Sequence, residues 1–505
     1  MKILLANPAY RKEIGKGYEQ YFFCAGSRCP WSLVKPKEEL PRYAMFPFMM
    51  GYTAAILEEN NFQVEAIDAI PLNLSESEFL DQVYLSEPDV ILFEPVTTSI
   101  QYIAGLAELL AQKLNVIIVF TGSHVTALPE DCLKTYPCID YILRGEYEFS
   151  FLELVKALEL GSSINSSIDG IVFRSDGEII VTPKATIPDL DCLPFPARHL
   201  FPSIRNSDLG LYHDGFCQNR PAIQMHSSRG CPFRCDFCLL TQVIYKQGVY
   251  RVFSSQRVVD EMKHIRNHHN AGEIYIDDDT FTGSKRHVLD ICNLISEQKL
   301  NIPWSAMADA MLCDEEMILA MKNAGCIGLK FGLESANQNI LQQIKKPLKT
   351  DKLSRLVQLC NKLKIKTHVS VSFGHLGETH VSIKETMDYV LSLSSDSIQF
   401  SLATPYPGTT FYKQVRQLGL LPETDWSMYD PTHSSIVNLP GIDSAALKAF
   451  EAKAHRLWLK RKLFNLSWVL RQVYFLVYIV KKQGIRGFLK RIRRGILLLF
   501  SKKFR

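Results

Sequence analysis

The last fifty residues contain no aspartate or glutamate. Fifteen of the 57 Lys and Arg lie between Arg456 and Arg505, so the preceding 455 residues carry 42 basic against 53 acidic side chains, a net charge of −11. An acidic body therefore precedes a strongly basic tail. No short-period repeat and no low-complexity tract occurs, and with 47% hydrophobic and 22% charged residues the chain is neither collagenous, nor solenoidal, nor disordered. Long apolar runs are also missing. The longest uncharged run in the tail, Gln472–Val480, has nine residues, far short of the ~20 that span a bilayer. The Met1 end, MKILLANPAY, is too short for a signal-peptide core. Thirteen cysteines in 505 residues are too sparse for a disulfide scaffold. A reducing cytosol is the expected compartment, and clustered cysteines are expected to be metal ligands or redox groups.

At this length about three domains are expected. Residues 1–160 alternate strand-like runs (Ile3–Ala6, Val64–Ile67, Val90–Phe93, Val116–Phe120, Tyr141–Leu143) with helical-period segments. That order predicts an α/β domain with a doubly wound, Rossmann-like parallel sheet. Residues 161–221 turn rich in Gly, Ser, Asp and Pro, with a hairpin-like stretch at 170–181, and are expected to form a linker. From Ala222 six further runs follow: Ile223–His226, Glu273–Asp277, Trp304–Met307, Ile327–Phe331, Thr367–Phe373 and Ile398–Leu402. Six βα units predict a partial (β/α)6 TIM-like barrel over residues 222–425. Residues 426–505 are expected to be a helical C-terminal region ending in the basic tail.

The strongest chemical signal is Ser227-Ser228-Arg229-Gly230-Cys231-Pro232-Phe233-Arg234-Cys235-Asp236-Phe237-Cys238. Three thiolates within eight residues converge only if the segment loops around something, and Gly230 and Pro232 supply the bends. Soft thiolates favour zinc or an iron–sulfur cluster. A structural zinc site wants a fourth protein ligand, and none is at hand: Cys217 is 14 residues upstream of Cys231 and no His follows at finger spacing. The deficit favours a cluster with one open iron, while zinc and merely reactive cysteines remain alternatives.

Cys-x-x-x-Cys-x-Phe-Cys after the first strand of a six-unit barrel resembles the radical S-adenosylmethionine (SAM) superfamily. Asp278-Asp279 with Phe281, Gly332-Leu333-Glu334-Ser335, the Phe373–Glu378 turn and Pro405-Tyr406-Pro407-Gly408-Thr409 follow in that family's order, with His375 where proline is common. The resemblance implies a [4Fe–4S] cluster on Cys231, Cys235 and Cys238, and SAM contacts from Phe237, Asp278, Asp279, Glu334, Ser335 and Gly374. A doubly wound sheet ahead of such a barrel resembles the cobalamin-binding domain of the class B radical SAM methylases and the anaerobic porphyrin cyclases. Asn7-Pro8, Phe46-Pro47, Asp68, Thr97-Thr98-Ser99, Gly122-Ser123-His124 and Gly145-Glu146-Tyr147-Glu148 carry this likeness. It implies cobalamin contacts from Thr97, Thr98, Ser99, Gly122, His124, Gly145 and Glu146. The Asp-x-His-x-x-Gly stretch that supplies a cobalt-ligating His is absent, since Asp68–Asn73 holds no His. His124 is assigned to the pocket wall.

By this resemblance the cluster and SAM generate a 5′-deoxyadenosyl radical, and cobalamin delivers a methyl group to an unactivated carbon of a hydrophobic small molecule or lipid. No side chain is singled out as catalytic, because the cofactors do the hard chemistry. Radical cyclisation or ring rearrangement without methyl transfer is the rival, and an iron–sulfur or cobalamin sensor or carrier the non-enzymatic alternative. A one-electron donor such as flavodoxin or ferredoxin is implied. In the tail, Ile485, Phe488, Leu489, Ile492, Ile496, Leu499 and Phe500 share one helical face, with Lys490, Arg491, Arg493 and Arg494 largely off it. This amphipathic pattern predicts peripheral contact with the inner face of the membrane rather than nucleic-acid binding, with packing on the barrel as the alternative.

Overall fold

The computed structural model describes all residues except 16, 27, 165, 203–209, 423–424, 433–434, 467, 471 and 474–505. The last amphipathic helix and most of the Gln472–Val480 run lie outside the described residues. Among the described residues no helix is long and apolar enough to cross a membrane.

The fold is mixed α/β. Five parallel strands, Lys2–Asn7, Gln63–Asp68, Val90–Phe93, Ile117–Phe120 and Tyr141–Leu143, stand in the order second, first, third, fourth, fifth. Val90–Phe93 is wholly buried, as a parallel strand covered on both faces must be. In such a sheet the chain reverses its winding between the first and third strands, and ligands bind beyond the carboxyl ends at that point. Six parallel strands in consecutive order (Ala222–Met225, Glu273–Ile276, Trp304–Ala308, Cys326–Glu334, Lys366–Phe373, Ser397–Leu402) build the second sheet, an open barrel of six βα units. One continuous apolar core runs through both sheets.

Three features depart from the sequence expectations. The segment expected to link the domains instead contributes two antiparallel strands, Ile171–Ser175 and Glu178–Val181, to the first sheet. Asp176-Gly177, both at positive φ, make their turn, the backbone that a two-residue hairpin requires. A three-stranded antiparallel sheet, Tyr10–Gly15, Tyr18–Phe23 and Trp31–Pro36, follows the first strand directly and was not anticipated. It reaches across to the far end of the chain: Lys12 Nζ donates to Ser427 Oγ at 2.7 Å, Gln20 Nε2 to Asp430 at 3.1 Å, and Tyr406 Oη to the Pro30 carbonyl at 3.0 Å. Finally, the start of the basic tail packs on the barrel. The Ser444–Leu463 helix lies along the last barrel strand; Trp458 is buried, Lys462 Nζ donates to the Leu393 carbonyl at 2.9 Å, and Trp468 Nε1 to the Asp396 carbonyl at 3.0 Å.

Candidate functional site

The carboxyl ends of the two sheets face each other. Glu94, Val96, Gly122 and Ser123 from the first sheet line one wall of a cleft, and His226, Ser228, Asp277 and Asp279 from the barrel line the other. The turn between the second and third strands of the inserted sheet closes a side with Gly26 and Arg28, the latter ion-paired to Asp277. Phe48, Met49, Leu240, Ile244 and Tyr245 complete an apolar floor. A wider cleft of about 460 Å³ lies beyond the 145–148 turn, lined by Phe149, Ser150, Ile168, Ile187 and Asp189; the expected cofactor residues other than Glu146 are not on it.

The cysteine loop is held by partners from three elements. Asp278 accepts from the Ser227 and Ser228 backbone N–H groups at 2.7 and 3.1 Å, and from the Ser228 hydroxyl at 2.6 Å. Asp279 accepts from the Gly230 N–H at 2.9 Å. Gln242 Nε2 donates to the carbonyls of Cys235, Asp236 and Cys238 at 3.2, 2.8 and 3.0 Å, while its Oε1 accepts from the Thr410 N–H at 2.9 Å. The Asp236 N–H reaches the Ile344 carbonyl at 3.2 Å. This docking sets Lys346, largely buried, among the thiols, Glu334 and Asp309, with its Nζ 3.3 Å from Asp309 Oδ2. Burial pushes the Cys231 and Cys235 thiols up to about 12 and raises Cys238 as well, whereas Lys346 pulls all three down. Three thiolates therefore need a cationic group between them, which is what metal binding supplies. Among the described residues no three His, Cys, Asp or Glu side chains stand close enough to hold a single ion. Cys29, flanked by Arg28 and Pro30, is also raised to about 12, with Cys238 and Glu334 among its charged neighbours.

The other expected SAM residues divide. Phe237 packs its ring 5.2 Å from His375. Glu334, at φ +63°, accepts from Ser372 Oγ at 3.0 Å. Gly374, at φ +104°, and His375 donate their N–H groups to Glu378. His375 Nδ1 and Glu378 Oε1 are buried without protein partners; burial holds His375 neutral, at about 4, and lifts Glu378 to about 7. Ser335 instead caps local structure, its hydroxyl 3.1 Å from Thr386 Oγ1 and accepting from the Asn337 N–H at 3.2 Å. Asp278, expected on SAM, has its carboxylate taken by Ser227 and Ser228.

On the first sheet, Thr98 Oγ1 and Ser123 Oγ are buried and unpartnered. Gly122 is at φ +97°, where a Cβ would stand 2.9 Å from the Pro95 carbonyl oxygen. Two orphan hydroxyls and a side-chain-free backbone at the carboxyl ends of the strands fit a ligand with polar edges that approaches closely. Thr97 Oγ1 is 3.3 Å from His124 Nδ1. His124 is buried against Trp426 and held neutral, at about 3. Ser99 turns back on Val96. Gly145 serves packing, since a Cβ there would meet the Ala185 carbonyl oxygen at 2.4 Å. Glu146, expected on cobalamin, is spent on Arg229, Arg251 and the Ile187 N–H.

Comparison with known proteins agrees with this arrangement. Residues 225–390 match the radical SAM superfamily model and residues 42–155 the B12 binding domain model. The chain is a radical SAM protein with a B12-binding domain. It is a radical SAM enzyme whose relatives include cobalamin-dependent methyltransferases and cyclases, and its cofactors are a [4Fe–4S] cluster, SAM and cobalamin. It is 29% identical to an uncharacterized methyltransferase of Pyrococcus horikoshii over 88% of this chain and 93% of the relative. It is 26% identical to the anaerobic magnesium-protoporphyrin IX monomethyl ester cyclase of Rubrivivax gelatinosus over 73% and 66%, and 23% identical to the hopanoid C-3 methylase of Methylococcus capsulatus over 71% and 67%. The fold resembles the cobalamin-dependent SAM radical enzyme OxsB, solved with aqua-cobalamin and SAM, with a TM-score of 0.68 and 16% identity over 98% of this chain and 71% of that one.

Two outcomes are expected from this geometry. Gln242→Leu strips one donor from three loop carbonyls, and a buried acceptor left unpaired costs about 1–3 kcal/mol. Iron and sulfide bound per chain after anaerobic reconstitution should fall severalfold with unchanged circular dichroism; full occupancy would remove Gln242 from that role. Burial lifts Glu94 to about 7, above its unfolded value of about 4.3. The folded state thus binds the extra proton, and stability present below pH ~4 is lost as pH rises through about 7. Asp68 and Glu378, both at about 7, share this slope. Glu94→Gln should make the fall in thermal midpoint between pH 5 and 8 shallower in the cofactor-free protein, and an unchanged slope would contradict the assignment.

Proposed function

We propose that the protein methylates an unactivated carbon of a hydrophobic small molecule, with Cys231, Cys235 and Cys238 holding the cluster and the facing cleft enclosing the substrate. One observation carries this reading: the carboxyl ends of both sheets open into the same cleft, so groups bound to each meet across a short, apolar-floored space. When bound, the cluster and SAM supply a carbon radical by one-electron cleavage, and cobalamin supplies the methyl group. The chain's own residues orient and shield. Lys346 and Glu334 offer opposite charges for the carboxylate and ammonium of SAM, and Asp279 adds a second carboxylate from the cleft side. Thr98, Ser123 and Gly122 would receive cobalamin. Phe48, Met49, Val96, Leu240 and Ile244 exclude water, which keeps a radical from side reactions. His226, stacked on Phe48 and held neutral by burial and nearby arginines, leaves the cleft without an added cation.

The cyclase-like relative favours a second reading, radical ring closure in the same cleft. Supplying SAM labelled in its methyl group, together with a one-electron donor such as flavodoxin and extracts fractionated for hydrophobic compounds, separates the two. Label in a product, abolished by Cys235→Ala, is the expected result; deoxyadenosine formation with an unlabelled, altered product would favour cyclisation.

The tail supports a peripheral contact with anionic lipid. Phe464, Leu466 and Leu470 are exposed and follow Lys460 and Arg461 in the chain, the mixture of apolar and basic side chains that an interfacial segment carries. Vesicles containing a third phosphatidylserine should co-sediment the full chain, and neutral vesicles should not; equal recovery with both would overturn the contact.

A further inference from the structure

The three-residue strand Ser228–Gly230 leads into Cys231, and its middle side chain points away from the cluster loop. Arg229 is 1% exposed. Its guanidinium donates to Glu146 Oε1 at 2.9 Å and to Glu148 Oε1 at 2.6 Å, both carboxylates being fully buried, and lies 5.2 Å over the Tyr52 ring. Arg251, directly opposite Arg229 in the antiparallel pair with Tyr250–Val252, donates to the other oxygen of Glu146 at 2.7 Å. Like charges directly opposite in a ladder repel, and burying Arg229, Glu146 and Glu148 carries a desolvation cost that a hydrophobic cluster would avoid. Such an expensive arrangement asks for a role beyond cohesion.

Its connections suggest one. Glu146 and Glu148 flank Tyr147, whose hydroxyl donates to Glu94 Oε2 at 2.8 Å, and Glu94 lines the cleft on the cobalamin side. On the other side a single residue, Gly230, separates Arg229 from Cys231. Gly230 is at φ +84°, and a Cβ there would stand 2.3 Å from the Val249 carbonyl oxygen, so the direction in which the chain enters the loop is fixed. One turn of the first domain thus grips the cleft wall with one side chain and the root of the cysteine loop with two.

We propose that Arg229 is a positioning residue that sets the separation between the cluster and the corrin ring, through the Glu146–Glu148 fork. The inference rests on the cofactor placement proposed above. A planar fork fixes direction as well as distance, which an ammonium does not. Methyl and hydrogen transfer between bound groups tolerates little misplacement, so a rigid link of few atoms between the two halves has a use that packing alone does not supply.

The test is the distance between two unpaired spins in the reconstituted full-length protein, the reduced cluster and cob(II)alamin, read by pulsed electron paramagnetic resonance. The wild type should give one narrow distance. Arg229→Lys should retain both cofactors yet give a distribution about twofold broader, with more deoxyadenosine formed per chain in the absence of substrate. Glu148→Gln, which keeps Arg229 and its bond to Glu146, should lie between the two and serves if the lysine variant fails to fold. Wild-type distance distributions in the variants with both cofactors bound would overturn the positioning role and leave the proposed function standing. Failure of the wild type to bind both cofactors would overturn both.

Discussion

The clamped strand Ser228–Gly230 is the constraint on which the site depends. Its backbone is stapled from the barrel by Asp278 and Asp279, and its side chain from the first sheet by Glu146 and Glu148. Arg229, Glu146, Glu148 and Asp278 in that clamp are buried and Asp279 half-buried, so each must find a partner or be neutralised. The barrel and the first sheet hence meet through directional bonds to one short segment. The cysteine loop, which begins one residue later, inherits its orientation from both.

Around the clamp, the chain keeps polar groups in place without protein partners. Thr98, Ser123, His375 and Glu378 each have a buried atom that nothing in the described residues satisfies. An unmade hydrogen bond in a buried setting is costly, and in a sheet end facing a cleft it marks where bound groups contribute. The carboxyls at Glu94 and Glu378, raised by burial to about 7, belong to the same pattern, since each holds a proton more readily than an exposed carboxylate does. Cofactor binding is accordingly expected to stabilise the fold by mass action in addition to enabling chemistry.

The parts of the architecture that were legible in the sequence are those written locally. Cys231, Cys235 and Cys238 are near neighbours whose spacing is its own signal, and parallel strands such as Val90–Phe93 show as short apolar runs. Asp277-Asp278-Asp279 shows where local reading fails. Side chains at a strand end alternate in direction, so 277 and 279 reach the cleft while 278 turns to Ser227 and Ser228, and the motif alone does not say which. Glu146 matched a pattern yet serves Arg229, because only the tertiary arrangement brings the two within reach. Lys346 and Gln242 act from a loop and a short helix that carry no pattern at all; an amide four residues after Cys238 was the one available hint. The hairpin at Asp176-Gly177 was visible as a hairpin, but its pairing with Tyr141–Leu143 depends on a distant edge.

The inserted sheet of residues 10–36 bears on how the molecule is made. It emerges from the ribosome ahead of the barrel, while its partners Tyr406, Ser427 and Asp430 are synthesised some 400 residues later. Domains fold roughly in order of synthesis, so the first sheet can form while its inserted strands still lack the surface they dock on. Contacts of such long sequence separation are slow to close. The side of the cleft that Gly26 and Arg28 close is therefore expected to take its final place only after the end of the barrel has been made.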